Sequence, residues 1–224
     1  MKRPTVIFAF IPAIVAGVVH LAAIAVEGFG VEAATAIVGP TKLLLMPAVL
    51  LGLLWALPHV RSQIALWGGL GIVFSWLGDA LLSSPGGMGF LLGLGGFFLA
   101  HVCYLLLITR CLSTRKLGWG AAVYVVWWMV FVALLAPHAG SLLIPIAIYG
   151  LALGAMAAWA LTAHKLVALG GALFVVSDSI LGLKMFVPDF WFWQNSFVIM
   201  LTYIGGQILI AMGAAVHARR TAGD

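Results

Sequence analysis

Charge is what this sequence has least of: of 224 residues only 8% are Asp, Glu, Lys or Arg, against 64% that are hydrophobic. So few charged groups cannot cover a water-soluble surface, which excludes a soluble globular domain. Cysteine is equally scarce. Cys103 and Cys111 share one apolar run, which rules out a disulfide scaffold, and both read as small core residues. Also missing are the H-x-x-x-H, H-E-x-x-H and C-x-x-C spacings of metal sites and the G-x-S-x-G elbow of serine hydrolases. There is no Walker loop, and no glycine loop in a βαβ setting. No metal and no cofactor are therefore expected. The run Gly93-Leu94-Gly95-Gly96 lies inside an apolar stretch and reads as a helix-packing surface. The formal net charge of +5 does not indicate nucleic acid, because the basic residues are scattered singly and in pairs between apolar runs.

What is present is apolar length. Eight runs, at roughly 5–26, 34–57, 64–83, 88–110, 117–137, 141–161, 166–187 and 192–216, are each about long enough for a tilted transmembrane helix. Strand-like alternation is absent, and stretches such as Leu43-Leu44-Leu45-Met46 are continuously apolar. The expected fold is all-α: one polytopic membrane bundle of eight transmembrane helices over residues 1–224. Eight spans put both termini on one side. That side collects Lys2, Arg3, Arg61, Arg110, Arg115, Lys116, Lys165, Arg219 and Arg220, nine of the eleven basic residues. The opposite loops carry Glu27, Glu32 and Asp189 with Lys184, so both termini are expected in the cytoplasm. The first run, although preceded by Lys2-Arg3, reads as a retained helix rather than a cleaved signal.

The two halves, about 1–113 and 114–224, match weakly. At an offset of 99 residues, Gly71, Gly78, Asp79, Leu82, Phe98 and Tyr104 fall on Gly170, Ser177, Asp178, Leu181, Phe197 and Tyr203. Four spans separate the partners, so matched helices run in the same direction, as in a parallel 4+4 repeat.

An ionisable side chain near the bilayer centre costs at least ~2.5 kcal/mol on insertion scales, so each one calls for a partner or a function. Lys42, Asp79, His101 and Asp178 all fall inside apolar runs, and Tyr104, Tyr149 and Tyr203 add polar tips at similar depth. Ser75 lies one turn before Asp79 on the same face, and Gly78 lets a neighbouring helix approach. Asp178 stands between Ser177 and Ser179, with Gly171 and Gly182 near its face, so both carboxylates are expected to point into the bundle. Lys42, between Pro40 and Pro47, enters from the outside to a comparable depth. Two carboxylates and one ammonium leave one excess negative charge. Desolvation and like-charge repulsion then favour one protonated and one ionised carboxyl, an acid and a base. In the alternative reading Lys42 neutralises one Asp, the second stays protonated, and the cluster locks helices without chemistry. His101 and Tyr104, spaced i, i+3, share a face and are expected either to contact a substrate or to hydrogen-bond the Asp cluster. His20 has no ionisable neighbour in sequence and reads as structural.

Several of these elements occur in order: Lys42 with Met46-Pro47, the segment Phe74-Ser75-Trp76-Leu77-Gly78-Asp79-Ala80-Leu81-Leu82, Phe98 to Tyr104 with His101, and Phe174-Val175-Val176-Ser177-Asp178. The pattern covers nearly the whole chain and resembles the YhhN-type lysoplasmalogenase family. The resemblance implies an eight-helix membrane hydrolase, in the bacterial inner membrane, that cleaves the vinyl ether bond of lysoplasmalogens. The products would be a fatty aldehyde and glycerophosphocholine or glycerophosphoethanolamine. It further implies that Asp79 and Asp178 are catalytic and that Lys42 belongs to the site. Tyr104, Tyr149, Tyr203 and Gln207 would be polar lining, joined by His101, and the partners would be a lysophospholipid substrate and membrane lipid.

Two other classes compete. Parallel repeats and midplane carboxylates also suit a proton-coupled transporter of a small or lipid-like solute. An intramembrane aspartyl protease fits poorly, because Trp76-Leu77-Gly78-Asp79 lacks the first Gly of G-x-G-D and Asp178 follows Ser rather than Tyr.

Overall fold

The computed structural model describes residues 5–83 and 87–223. Lys2 and Arg3, two of the basic residues counted toward the cytoplasmic side, lie outside the described residues. Among the described residues every regular element is helical. In chain order these are α1 Val6–Ala9, α2 Ile11–Gly28, α3 Glu32–Ala56, α4 Gln63–Leu82, α5 Gly87–Leu107, α6 Ala122–Ala139, α7 Leu143–Ala160, α8 Lys165–Phe186 and α9 Asn195–Ala222, with short helical turns at Ile108–Leu112, Trp119–Ala121 and Gly140–Leu142. Seven segments are long and apolar enough to cross a membrane, and the chain is an integral membrane protein.

The eight expected runs correspond to the long helices α2 to α9, with differences that have local causes. The first run is split at Phe10, where Pro12 lacks an N–H and its ring crowds the carbonyl one turn back. The segment Trp119–Ala160 is apolar for 42 residues and doubles back at Gly140, whose φ of 52° suits a residue without a side chain. Its two arms then pack antiparallel: the Trp128 indole N–H donates to the Ala147 carbonyl at 2.9 Å. At its far end α5 widens into a π turn, closed by Ser113 N–H to the Ile108 carbonyl at 2.8 Å. The last helix runs six residues past the expected 216, because His217, Arg219 and Arg220 suit the negative end of a helix dipole, and Gly223 at φ 78° caps it.

The most extensive helix contacts are α4 on α5 and α8 on α9, and glycine makes both possible. A Cβ on Gly96 would lie 2.9 Å from the Gly78 nitrogen, and one on Gly170 would lie 2.8 Å from the Gly206 oxygen. The backbones therefore touch, which in lipid replaces the missing hydrophobic driving force with dispersion contact. The Gly93-Leu94-Gly95-Gly96 run serves this packing, as expected. α9 also contacts α2, α3 and α4, so its inward face meets polar groups carried by the first half of the chain. Cys103 and Cys111 are both free.

Candidate active site

Lys42 sits in the middle of α3 between two prolines. Pro47 has no N–H to give the Leu43 carbonyl one turn back, and a bare carbonyl in hydrocarbon is costly. The Trp76 indole N–H of α4 donates to that carbonyl at 2.9 Å, which ties the proline-containing turn of α3 to α4. Trp76 lies one turn before Asp79, so this bond brings Lys42 beside that carboxylate. The Lys42 ammonium is 3.3 Å from Asp79 Oδ1, with side-chain exposures of 19% and 4%. Its Nζ also reaches Ser83 Oγ at 3.4 Å.

From α9, the Tyr203 hydroxyl donates to Asp79 Oδ2 at 2.7 Å. One turn along, Gln207 Nε2 donates to Ser75 Oγ at 2.8 Å. Tyr203 and Gln207 are spaced i, i+4, as are Ser75 and Asp79, so two parallel rungs join antiparallel helices. Tyr104 of α5 donates to Gln207 Oε1 at 2.5 Å, with its ring over Gly71. Both Tyr104 and Gln207 are buried. They support the Asp79 rung from behind and do not touch either carboxylate. The residues matched at the 99-residue offset thus make different contacts: Tyr203 bonds Asp79, whereas Tyr104 bonds Gln207.

Asp178 on α8 forms a second group. The Tyr149 hydroxyl of α7 donates to Asp178 Oδ2. His101 Nε2 lies 3.0 Å from the Tyr149 hydroxyl oxygen and 3.6 Å from Asp178 Oδ2. Because the Tyr149 proton goes to the carboxylate, Nε2–H is the donor to Tyr149. His101 Nδ1, fully buried, has no hydrogen-bond partner. His101 therefore adjoins Asp178 and hydrogen-bonds Tyr149 rather than a carboxylate. Ser177 donates to the Ile199 carbonyl at 3.1 Å and anchors α8 to α9. Ser179 accepts from the Trp127 indole at 2.9 Å and anchors α8 to α6. Asp178 is fixed from both sides.

The two groups adjoin. Tyr203 packs edge-on against Phe174 at 5.4 Å between ring centroids, and Phe174 against His101 at 4.7 Å. Both carboxylates point into the bundle, Asp178 with 10% of its side chain exposed. A small, partly open cleft of about 50 Å³ reaches Asp178 and Tyr149, the two polar side chains of an otherwise apolar lining that does not include Asp79. Among the described residues no three His, Cys, Asp or Glu side chains group as metal ligands.

Sequence reasoning overlooked two contributors. Trp76 and Ser83 are bound to the Lys42 region, and the signal for the first was Pro47 standing four residues after Leu43. His20, read as structural, is buried with Nδ1 at 2.9 Å from Thr41 Oγ1. Thr41 gives its own proton to the Ile37 carbonyl at 2.7 Å, so His20 Nδ1–H is the donor. Its neighbour across the helix gap is Lys42.

The sequence profile of the YhhN family matches residues 40–214. The chain is 33% identical over 178 residues to proteins named lysoplasmalogenase from Mycobacterium bovis and Mycobacterium tuberculosis, a match covering 70% of this chain and 64% of each relative. The chain thus spans less than two thirds of the length of these relatives. No solved structure matches it.

Proposed function

Because the chain belongs to the YhhN family, we propose that it is a lysoplasmalogenase, hydrolysing the vinyl ether of a lysophospholipid to a fatty aldehyde and a glycerophospho-alcohol. The observation that carries this reading is the pair of inward-facing aspartates, Asp79 buried and Asp178 partly so, each held by a tyrosine hydroxyl, with Lys42 on Asp79. A vinyl ether is cleaved by placing a proton on its β-carbon. The π electrons form the new C–H bond, and the ether oxygen stabilises the resulting oxocarbenium ion. Water adds to that cation and gives up a proton, and the hemiacetal C–O bond then breaks to leave aldehyde and alcohol. One proton donor and one anion suffice, and water is the only co-reactant.

The geometry favours a division of labour. Asp178 lines the cleft and delivers the proton. Tyr149 and His101 then hold the carboxylate it becomes. Asp79, paired with Lys42 and Tyr203 behind the cleft wall, carries negative charge that stabilises the oxocarbenium ion from outside the lining, and the Asp178 carboxylate takes back the proton of the attacking water. In this reading eight spans cross the bilayer with both termini cytoplasmic. Arg61, Arg110, Arg115, Lys116, Lys165, Arg219 and Arg220 then share the inner side. Asp79, three residues from the end of α4, lies toward the outer side.

The test is aldehyde release from lysoplasmalogen by purified protein in detergent, followed with a coupled alcohol dehydrogenase. Asp178→Asn and Asp79→Asn are each expected to lose about 10²–10⁴ in rate, the usual share of a general acid or base or of a stabilising charge. Full activity in either variant removes that residue from the mechanism. Solute flux across sealed vesicles without aldehyde would instead support a carrier.

A further inference from the structure

We infer that the cleft at Asp178 is the site of the substrate's alkenyl chain, and that Gly182 sets how much chain it accepts by positioning the Phe131 ring. The inference rests on the vinyl ether reading for the identity of the chain. The cleft is built from one end of five helices: Leu82 closes α4, Phe90 opens α5, Leu135 is near the end of α6, Ile146 opens α7 and Phe186 closes α8. Its walls are apolar apart from Asp178 and Tyr149. A ligand that fits such a shape is itself apolar along its length with one acid-sensitive polar function at an end. A single alkenyl ether chain meets that description. An acyl-free headgroup does not, because the walls offer it no donors or acceptors.

Gly182 lies one turn after Asp178 and faces α6. A Cβ placed there would stand 2.7 Å from the Phe131 ring edge and 3.6 Å from Leu135, so the ring would have to move. Phe131 is stacked on Trp127 at 5.3 Å between centroids with a 16° interplanar angle. Trp127 is in turn fixed by its bond to Ser179. With the Trp127 side closed, the ring has the cleft to move into. The missing side chain at 182 therefore keeps the cleft open beside the reacting carboxyl.

Each methylene denied burial weakens binding about fourfold, so a ring that displaces two of them costs roughly tenfold or more. The probes are saturated ether lysophospholipids with a palmityl or an octyl chain. They carry no vinyl ether and cannot react, so their binding is read apart from catalysis, with the protein in nanodiscs. Gly182→Ala is expected to weaken the binding of both probes by about tenfold, and adding Phe131→Leu is expected to restore it. Unchanged affinity in Gly182→Ala overturns the inference, as does a loss that Phe131→Leu leaves in place. Should Gly182→Ala fail to fold, Phe131→Leu in the parent is expected to tighten both probes, and no change overturns the inference. If no aldehyde forms from lysoplasmalogen yet the affinities shift as described, the vinyl ether reading fails and the cleft stands as an alkyl-chain site.

Discussion

The Trp76 bond to the Leu43 carbonyl yields a prediction whose size follows from the structure. Pro47 leaves that carbonyl without its helical donor, and the indole N–H supplies one at 2.9 Å. Leu43 is 38% and Trp76 36% exposed, but the surroundings of both are hydrocarbon, where no water replaces a lost donor. Trp76→Phe keeps an aromatic ring and removes the N–H. Leaving the carbonyl bare costs about 1–3 kcal/mol, on top of the packing lost with the second ring. Pro47→Ala separates the two contributions, because it returns an i to i−4 N–H to the same carbonyl. In a double-mutant cycle, followed by circular dichroism during unfolding in mixed micelles, Trp76→Phe should cost at least ~1 kcal/mol more in the parent protein than in the Pro47→Ala background. Equal costs within ~0.3–0.5 kcal/mol would falsify the idea that the indole substitutes for the proline's missing donor.

Two further outcomes follow from the charges. Lys42→Met strips the ammonium from a buried carboxylate and should destabilise the protein. The cost should stay below the ~3–5 kcal/mol of a fully buried pair, because the Lys42 side chain is 19% exposed. The double variant Lys42→Met/Asp79→Asn should recover most of that loss in the same unfolding measurement, and no recovery would mean the pair is not coupled. At the opposite end of the bundle, His164 caps α8 by accepting from Leu166 N–H at 3.2 Å. Burial foremost, then Arg220, Lys165, His217 and Arg115, lower its pKa from 6.5. The unfolded chain then binds more protons near that pH, so the cap's contribution is present above 6.5 and fades as pH falls toward the folded value. His164→Asn keeps a capping acceptor that does not titrate. Its stability should therefore vary less with pH across the acidic range, and an unaltered slope would count against the assignment.

The polar residues of the site were legible for a simple reason. Asp79, Asp178, Lys42 and His101 interrupt stretches where each charged or polar group is expensive, so their presence alone marks them. Their pairing was not legible. Tyr104 and His101 share a face at i, i+3, yet Tyr104 supports Gln207 while His101 reaches Asp178 through Tyr149. His20 reads as alone because its neighbours Thr41 and Lys42 come from the next helix. Pro47 announces a freed carbonyl, but which donor fills it depends on how α4 lies against α3.

The sequence alone determined the membrane as solvent, the long helices, the break between runs 117–137 and 141–161, and the set of ionisable groups inside the apolar runs. These follow from local quantities: apolar length, backbone freedom and the cost of placing charge in hydrocarbon. Tertiary structure alone decided that Lys42 joins Asp79 rather than Asp178, that of the two carboxylates the cleft reaches only Asp178, and that Gly182 packs against the Phe131 ring. Those outcomes depend on relative rotations and close approaches of helices distant in sequence. In lipid such rotations are set by glycine contacts and single hydrogen bonds, and no periodicity along the chain encodes them.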